Sequence, residues 1–300
     1  MMGLGDRHGS PLMSRSEGLR PKDARANEYR LLPLSVWLCS ETTPVGAAKD
    51  RPHAGEAAGA VCGRHRQAVG RELARHLIGA CSRPGGVVVD VFATSETVLV
   101  AAAEAGRLGV GCVPRPAVAQ YLATRLREQV SAGRRAAVRL RPHGADRLRE
   151  ALDGLEGRVE LLIAALPPYP GPARGFTGVL CPSCRAEPAL GVAQLGRFLE
   201  NARQVLAPSG HLAVITSARY ERGRVVDLAP EIIRHAGRAG LAYVQHVIAL
   251  RAPIDGDSLV VQADPRGLAQ IRRARSGGLP PVVSVHADVC LFTPAAGAAW

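Results

Sequence analysis

The stretch 87–115, VVVDVFATSETVLVAAAEAGRLGVGCVPR, constrains the chain more than any other. Its opening run Val87, Val88, Val89, Asp90 reads as a buried strand. A tight turn follows at 91–96, then a run of Thr, Val, Leu and Ala that suits a helix over 97–106, then a second apolar strand over 109–113. Strand, turn, helix and strand make half of a nucleotide-binding βαβ unit. The turn of such a unit lies over the carboxyl end of the first strand, where ligands of doubly wound sheets bind. This turn carries Thr94 and Glu96 where a ligand-cradling turn favours glycine.

The rest of the chain repeats the alternation. A helical pattern over 65–81 (Val69, Leu73, Leu77, Ile78) precedes the opening strand. A helix begun by Pro116 runs to 128, a third strand covers 135–140, a short helix 145–152, and a fourth strand 159–165. Pro167, Pro168, Tyr169 and Pro170 stop that strand and lead into a Pro- and Gly-rich loop to 190. An amphipathic helix over 191–206 ends at an Ala-Pro-Ser-Gly turn (207–210), followed by a strand over 211–218, a helix over 230–240 and a strand over 241–250. The alternating segment 283–294 closes the chain as a hairpin strand. This pattern predicts an α/β fold, a Rossmann-like doubly wound and mostly parallel sheet with an antiparallel edge hairpin. Residues 1–30 mix Gly, Ser, Arg, Asp and Pro without period and read as a disordered tail before one domain over 31–300.

Composition narrows the partner. With 47% hydrophobic residues but only 4% aromatic, the core must be filled by Val, Leu and Ala. The formal charge of +12 favours a polyanion, with nucleic acid the usual one, although nearly all of it is Arg, as in chains from GC-rich genomes. The cysteines at 39, 62, 81, 112, 181, 184 and 290 are odd in number and scattered, which reads as free thiols in a reducing cytoplasm. Cys181 and Cys184 have half of a zinc ribbon's spacing without a second pair, so no metal site is expected. No apolar run reaches the ~18 residues of a membrane span, so no membrane partner is expected. The arginines at 266, 272, 273 and 275 suit either phosphates or a solvated loop.

The order of elements, together with SVW at 35–37, ELAR at 72–75, LVAAAEAGR at 99–107, YVQHVIAL at 243–250 and VHADVCLF at 285–292, resembles the class I S-adenosylmethionine-dependent methyltransferases. Within them it is most similar to the DNA adenine-N6/cytosine-N4 amino-methyltransferase family, in an actinobacterial branch. The resemblance covers about 35–294. It implies S-adenosylmethionine as cofactor, nucleic acid as partner (DNA ahead of RNA), and methylation of an exocyclic amine. It places the cofactor at Asp90, Phe92, Ala93, Thr94, Ser95, Glu96, Thr97 and Val113, and catalysis at Leu166, Pro167, Pro168 and Tyr169.

The resemblance also defines where this chain departs. The family's turn reads D-P-[FM]-x-G-x-G-T; here Asp90, Phe92 and Thr97 are kept and Thr94 and Glu96 replace the glycines. Thr94 adds a branched side chain, and Glu96 is expected as an exposed turn residue whose charge repels the cofactor's carboxylate. The acid that holds the ribose hydroxyls is replaced by Val113, and the acid expected after the third strand is matched only by a shifted Asp146. Leu166 stands where [DNS]-P-P-[YFW] supplies a polar acceptor, while Tyr169 keeps the ring that stacks on an extruded base. His65 keeps the His of a His-Pro motif without its proline. These departures predict a degenerate family member with weakened or lost cofactor binding. The alternative is a non-catalytic pseudo-methyltransferase that binds nucleic acid or a partner protein; a different small ligand in a reshaped pocket is a third reading.

Overall fold

The computed structural model describes residues 35–40, 69–166, 190–216, 219–221, 224–252, 254–255, 258–259 and 286–295. The chain divides after Leu34, and all the described residues belong to the unit Ser35–Trp300. The expected tail at 1–30, the loop at 41–64, His65, Pro167, Pro168, Tyr169, Cys181, Cys184 and the arginines at 266–275 lie outside the described residues.

In chain order the elements are β1 (Val36–Leu38), α1 (Arg71–Cys81), β2 (Val87–Asp90), α2 (Thr97–Glu104), β3 (Leu108–Cys112), α3 (Pro116–Gln129), β4 (Val138–Arg141), α4 (Leu148–Ala151), β5 (Val159–Ala165), α5 (Val192–Val205) and β6 (Leu206–Thr216). A short hairpin, β7 (Arg219–Glu221) with β8 (Arg224–Val226), follows, then α6 (Ala229–Arg238), β9 (Leu241–Leu250), a second hairpin of β10 (Ile254–Asp255) with β11 (Ser258–Leu259), and β12 (His286–Pro294). A 3-10 helix at Ala132–Ala137 follows α3 and takes the first residues of the expected third strand, so β4 begins later than its sequence suggests, and a 3-10 turn at Ala145–Arg147 leads into α4.

The main sheet has eight strands in the order β1-β9-β12-β6-β5-β2-β3-β4. β4, β3, β2, β5 and β6 are parallel neighbours. β12 runs antiparallel to both β6 and β9, and β1 adds parallel to β9 outside the antiparallel pair. The fold is therefore the mixed, mostly parallel α/β sheet expected; the antiparallel β12 lies between β6 and β9, and β1 borders β9 on its outer side. The Ala-Pro-Ser-Gly turn survives as a bulge. Val159 pairs with Leu206 and Leu161 with His211, so 207–210 have no partners opposite. Gly210 is needed there, because a Cβ would sit 2.5 Å from the Val159 carbonyl oxygen.

Helices cover both faces. On one, Leu73, Leu77 and Ile78 of α1 and Val98, Ala101 and Ala102 of α2 pack on Val88, Leu161, Ile163, Ala213 and Val247. On the other, Leu148 of α4, Phe198 and Leu199 of α5 and Ile232 of α6 pack on Val87, Val89, Val110, Leu162 and Val214. Adjacent residues of β2 thus enter opposite cores, which is why the run Val87, Val88, Val89 is continuously apolar. α2 lies close on β3 because β3 carries glycine: a Cβ at Gly111 would meet Leu99 at 3.0 Å, Leu140 at 3.2 Å and Ala93 at 3.3 Å.

Gly111→Val overpacks this contact and should destabilise the fold by about 1–3 kcal/mol, read as a lower midpoint in denaturant titration, with Gly111→Ala costing less.

Candidate functional site

The strand order turns at β2, whose neighbours β3 and β5 are reached by connections leading to opposite sides of it. In an open α/β sheet the crevice beyond the carboxyl ends of such strands is the ligand position. A cavity of about 220 Å³ lies there. The segment after β2 supplies Val91, Phe92 and Ala93; the segment after β3 supplies Val113, Pro114 and Arg115; the loop after β4 supplies Gly144, Ala145 and Asp146; and α5 supplies Gln194, Arg197 and Phe198. Phe92 and Phe198 meet edge to face, with ring centroids 5.8 Å apart. The wall is mostly apolar with a few polar groups, the common character of a small-molecule pocket.

Asp90 ends β2 and is 4% exposed. The Phe92 backbone N–H bonds to its carboxyl, but burial dominates and pushes its pKa up to about 7. The turn beyond it departs from the sequence expectation. Glu96 is not an exposed residue over the cavity; it is 4% exposed, and its Oε1 accepts hydrogen bonds from Gln129 Nε2 at 2.7 Å and Arg125 Nε at 3.2 Å. Its carboxylate is held between α2 and α3 by groups of α3, so its charge is compensated there. Its backbone, at φ −73° and ψ −10°, is ordinary helical geometry that needs no glycine. Thr94 is buried too, and neither Thr94 nor Glu96 lines the cavity. Ser95 Oγ donates to Thr97 Oγ1 at 3.2 Å within the turn.

Of the residues singled out for a cofactor, Phe92, Ala93 and Val113 reach the cavity wall, whereas Asp90, Thr94, Ser95, Glu96 and Thr97 do not. Asp146, the shifted acid, also reaches it. Leu166 packs half-buried against the core cluster that contains Val91 and Phe198, and its backbone N–H bonds to the Ile215 carbonyl at 3.0 Å. Sequence reasoning did not single out Arg115, Gln194, Arg197 or Phe198. Gln194, Arg197 and Phe198 are three and four residues apart on α5, a helical-face signal that was available. Arg115 lies two residues past Val113 and was legible only once the end of β3 was placed against the cavity. Among the described residues no group of His, Cys, Asp or Glu could hold a metal ion, and no helix is long and apolar enough to cross a membrane.

Residues 16–120 match the model of the N6/N4-type DNA methylase family. Over these residues, about a third of the chain, the sequence is similar to the DNA methylase family. The matched segment contains β2, its turn, α2, β3 and the opening of α3, and so Asp90, Glu96, Val113 and Arg115; Leu166 lies beyond it. No curated protein matches the sequence. Similar solved structures include a TehB-like SAM-dependent methyltransferase from Corynebacterium glutamicum, 14% identical over 74% of this chain and 86% of that one, with a TM-score of 0.40. TrmN from Thermus thermophilus is 16% identical over 76% of this chain and 50% of its own, with a TM-score of 0.45. A Burkholderia thailandensis 1,6-didemethyltoxoflavin-N1-methyltransferase, with 1,6-didemethyltoxoflavin and S-adenosylhomocysteine bound, is 15% identical over 74% and 76%, with a TM-score of 0.41.

S-adenosylmethionine is the cofactor that this similarity implies, and the cavity lies where a doubly wound sheet binds such a ligand. Val113, just past the end of β3, lines the cavity and its side chain offers a ligand no hydrogen-bond acceptor.

Removing the Glu96 carboxylate leaves Arg125 and Gln129 without it at a buried position, so Glu96→Ala should cost about 1–3 kcal/mol of stability by denaturant titration. Glu96→Gly, which restores the resemblance, should be no better. For Asp90, the folded state keeps its proton up to about pH 7, whereas the unfolded carboxyl has released it near 3.8. The folded form therefore binds the proton more tightly, and this stabilising contribution is lost as pH rises from about 4 to about 7. Asp90→Asn removes that slope: its stability relative to the parent should climb across the interval and level off above it, as followed by denaturant midpoints at successive pH values.

Proposed function

We propose that this DNA methylase-family chain descends from enzymes that move a methyl group from S-adenosylmethionine to an exocyclic amine of adenine or cytosine in nucleic acid, and that its hold on the cofactor is weakened at the ribose end rather than blocked at the turn. The observation that carries this reading is the open cavity beyond β2 and β3, with Val113 in its wall and the side chain of Glu96 bound to α3. A charged hydrogen bond contributes about 1.5–3 kcal/mol, so the missing acid accounts for roughly ten- to hundredfold in affinity. The net charge of +12 supports a nucleic-acid partner, and the family's description supports DNA ahead of RNA.

Leu166 favours a second reading, a nucleic-acid- or partner-binding protein without catalysis. A target amine needs a hydrogen-bond acceptor to raise the nucleophilicity of its nitrogen, and a leucine side chain packed on the core supplies none.

Isothermal titration with S-adenosylmethionine and S-adenosylhomocysteine tests the first reading. Weak binding is expected, tightening about tenfold or more in Val113→Glu. Micromolar or tighter binding by the unmodified chain, or no gain in a folded Val113→Glu, would refute the account. Duplex DNA binding that weakens steeply with salt, with no methyl transfer even at saturating cofactor, is the outcome that selects the second.

A further inference from the structure

Leu166 has a polar neighbour on the next strand. It continues the parallel pairing of β5 with β6 by one residue: Ala165 pairs with Ile215, and the Leu166 backbone N–H bonds to the Ile215 carbonyl at 3.0 Å. The residue beside Leu166 is therefore Thr216, about 4.8 Å away across the ladder. The two side chains share a face. Ala164 and Val214 belong to the core beneath α4, α5 and α6, and Ala165 and Ile215 to the opposite core, so alternation returns Leu166 and Thr216 to the first. Thr216 is 8% exposed. Among the described residues its hydroxyl has no hydrogen-bond partner, yet it is not one of the buried polar atoms left without one, which are on Arg141, His143, Arg203 and His211. Its oxygen therefore reaches solvent at the carboxyl end of the sheet. Asp288 of β12 pairs with Thr216 from the other side, but its carboxylate is already bonded to His246 Nε2 at 3.0 Å. The row Leu166, Thr216, Asp288 thus offers an uncommitted hydroxyl next to its apolar residue. A hydroxyl oxygen has two acceptor lone pairs, and an exocyclic amine has two N–H groups to give. An amine held over the gap between β5 and β6 is within reach of either strand.

We propose that the Thr216 hydroxyl is the catalytic acceptor for the target amine, in place of a polar side chain at Leu166. The inference rests on the methyl-transfer reading above and deepens it by moving the acceptor from β5 to β6. Thr216 accepts one N–H hydrogen bond, which strengthens as positive charge builds on nitrogen, and it neither gains nor loses a proton. The amine nitrogen forms the N–CH3 bond as the methyl's bond to sulfur breaks, the electron pair of that bond stays on sulfur, and the proton shed by nitrogen goes to water.

The test compares the full chain with Thr216→Val, which replaces the hydroxyl by a methyl group of similar size, and with Thr216→Ser, which keeps it. Methyl transfer from labelled S-adenosylmethionine at saturating concentration is measured on single-stranded DNA containing adenine and cytosine. Thr216→Val should lower kcat/KM for the DNA about tenfold or more and leave affinity for S-adenosylmethionine unchanged by isothermal titration; Thr216→Ser should stay close to the unmodified chain. A second readout needs no cofactor. The unmodified chain should bind oligomers of deoxyadenosine or deoxycytidine more tightly than those of the matching nucleoside without its amine (purine or 2-pyrimidinone), and Thr216→Val should erase that preference. Thermal unfolding of each variant separates loss of the contact from loss of the fold. Full activity in Thr216→Val overturns the inference and leaves the cofactor reading intact. Cofactor binding by the unmodified chain without transfer to either base also overturns it. Absence of cofactor binding refutes the cofactor reading instead, and the amine preference then decides the role of Thr216: its loss in Thr216→Val supports the inference, and its persistence overturns it.

Discussion

Strand β2 has no polar face. Val87, Val88 and Val89 are at most 5% exposed and enter the two cores alternately, so the strand can exist only between neighbouring strands and beneath helices on both sides. Helix α1 and helix α2 close one face, and α4, α5 and α6 the other. Polar chemistry at this position in the sheet is then confined to the strand's carboxyl end, where Asp90 is the first group that is not apolar. The price of that arrangement is visible in Asp90 itself, which gains one backbone hydrogen bond but is buried so fully that its proton is held to about pH 7.

The turn that follows carries no glycine, yet a cavity lies beside it. The backbone at Glu96 adopts helical dihedral angles, and the side chain is drawn sideways to Gln129 and Arg125 of α3. A residue that would repel a ligand carboxylate if it pointed forward instead ties α2 to α3. The space beyond β2 is lined by Phe92 and Ala93, and Val113 and Arg115 past the end of β3 add to the same lining. The same close packing that holds α2 on Gly111 of β3 also brings Ala93 against that glycine, so the turn and β3 are positioned together.

The order of strands and helices was legible because each buried element writes its period into the chain: runs of valine and leucine for strands covered on both faces, spacing of three and four for α1 and α5. The doubly wound class follows from that alternation. The side chains at Thr94, Glu96, Val113 and Leu166 were equally visible, as was the absence of an acceptor on Val113 and Leu166, because those are properties of the residues themselves.

The sequence by itself determined the alternating α/β order, the apolar β2 and the lack of an acid at Val113. Only the tertiary structure decided where Glu96 points, that β1 lies outside β9, and that Arg115, Arg197 and Phe198 line one cavity with Phe92. The physical reason is range. Period and side-chain chemistry are local and survive in the linear chain, whereas the direction of a carboxylate depends on which donors another helix brings within about 3 Å of it. Gln129 and Arg125 are 33 and 29 residues from Glu96 in the chain, and nothing between them announces the contact.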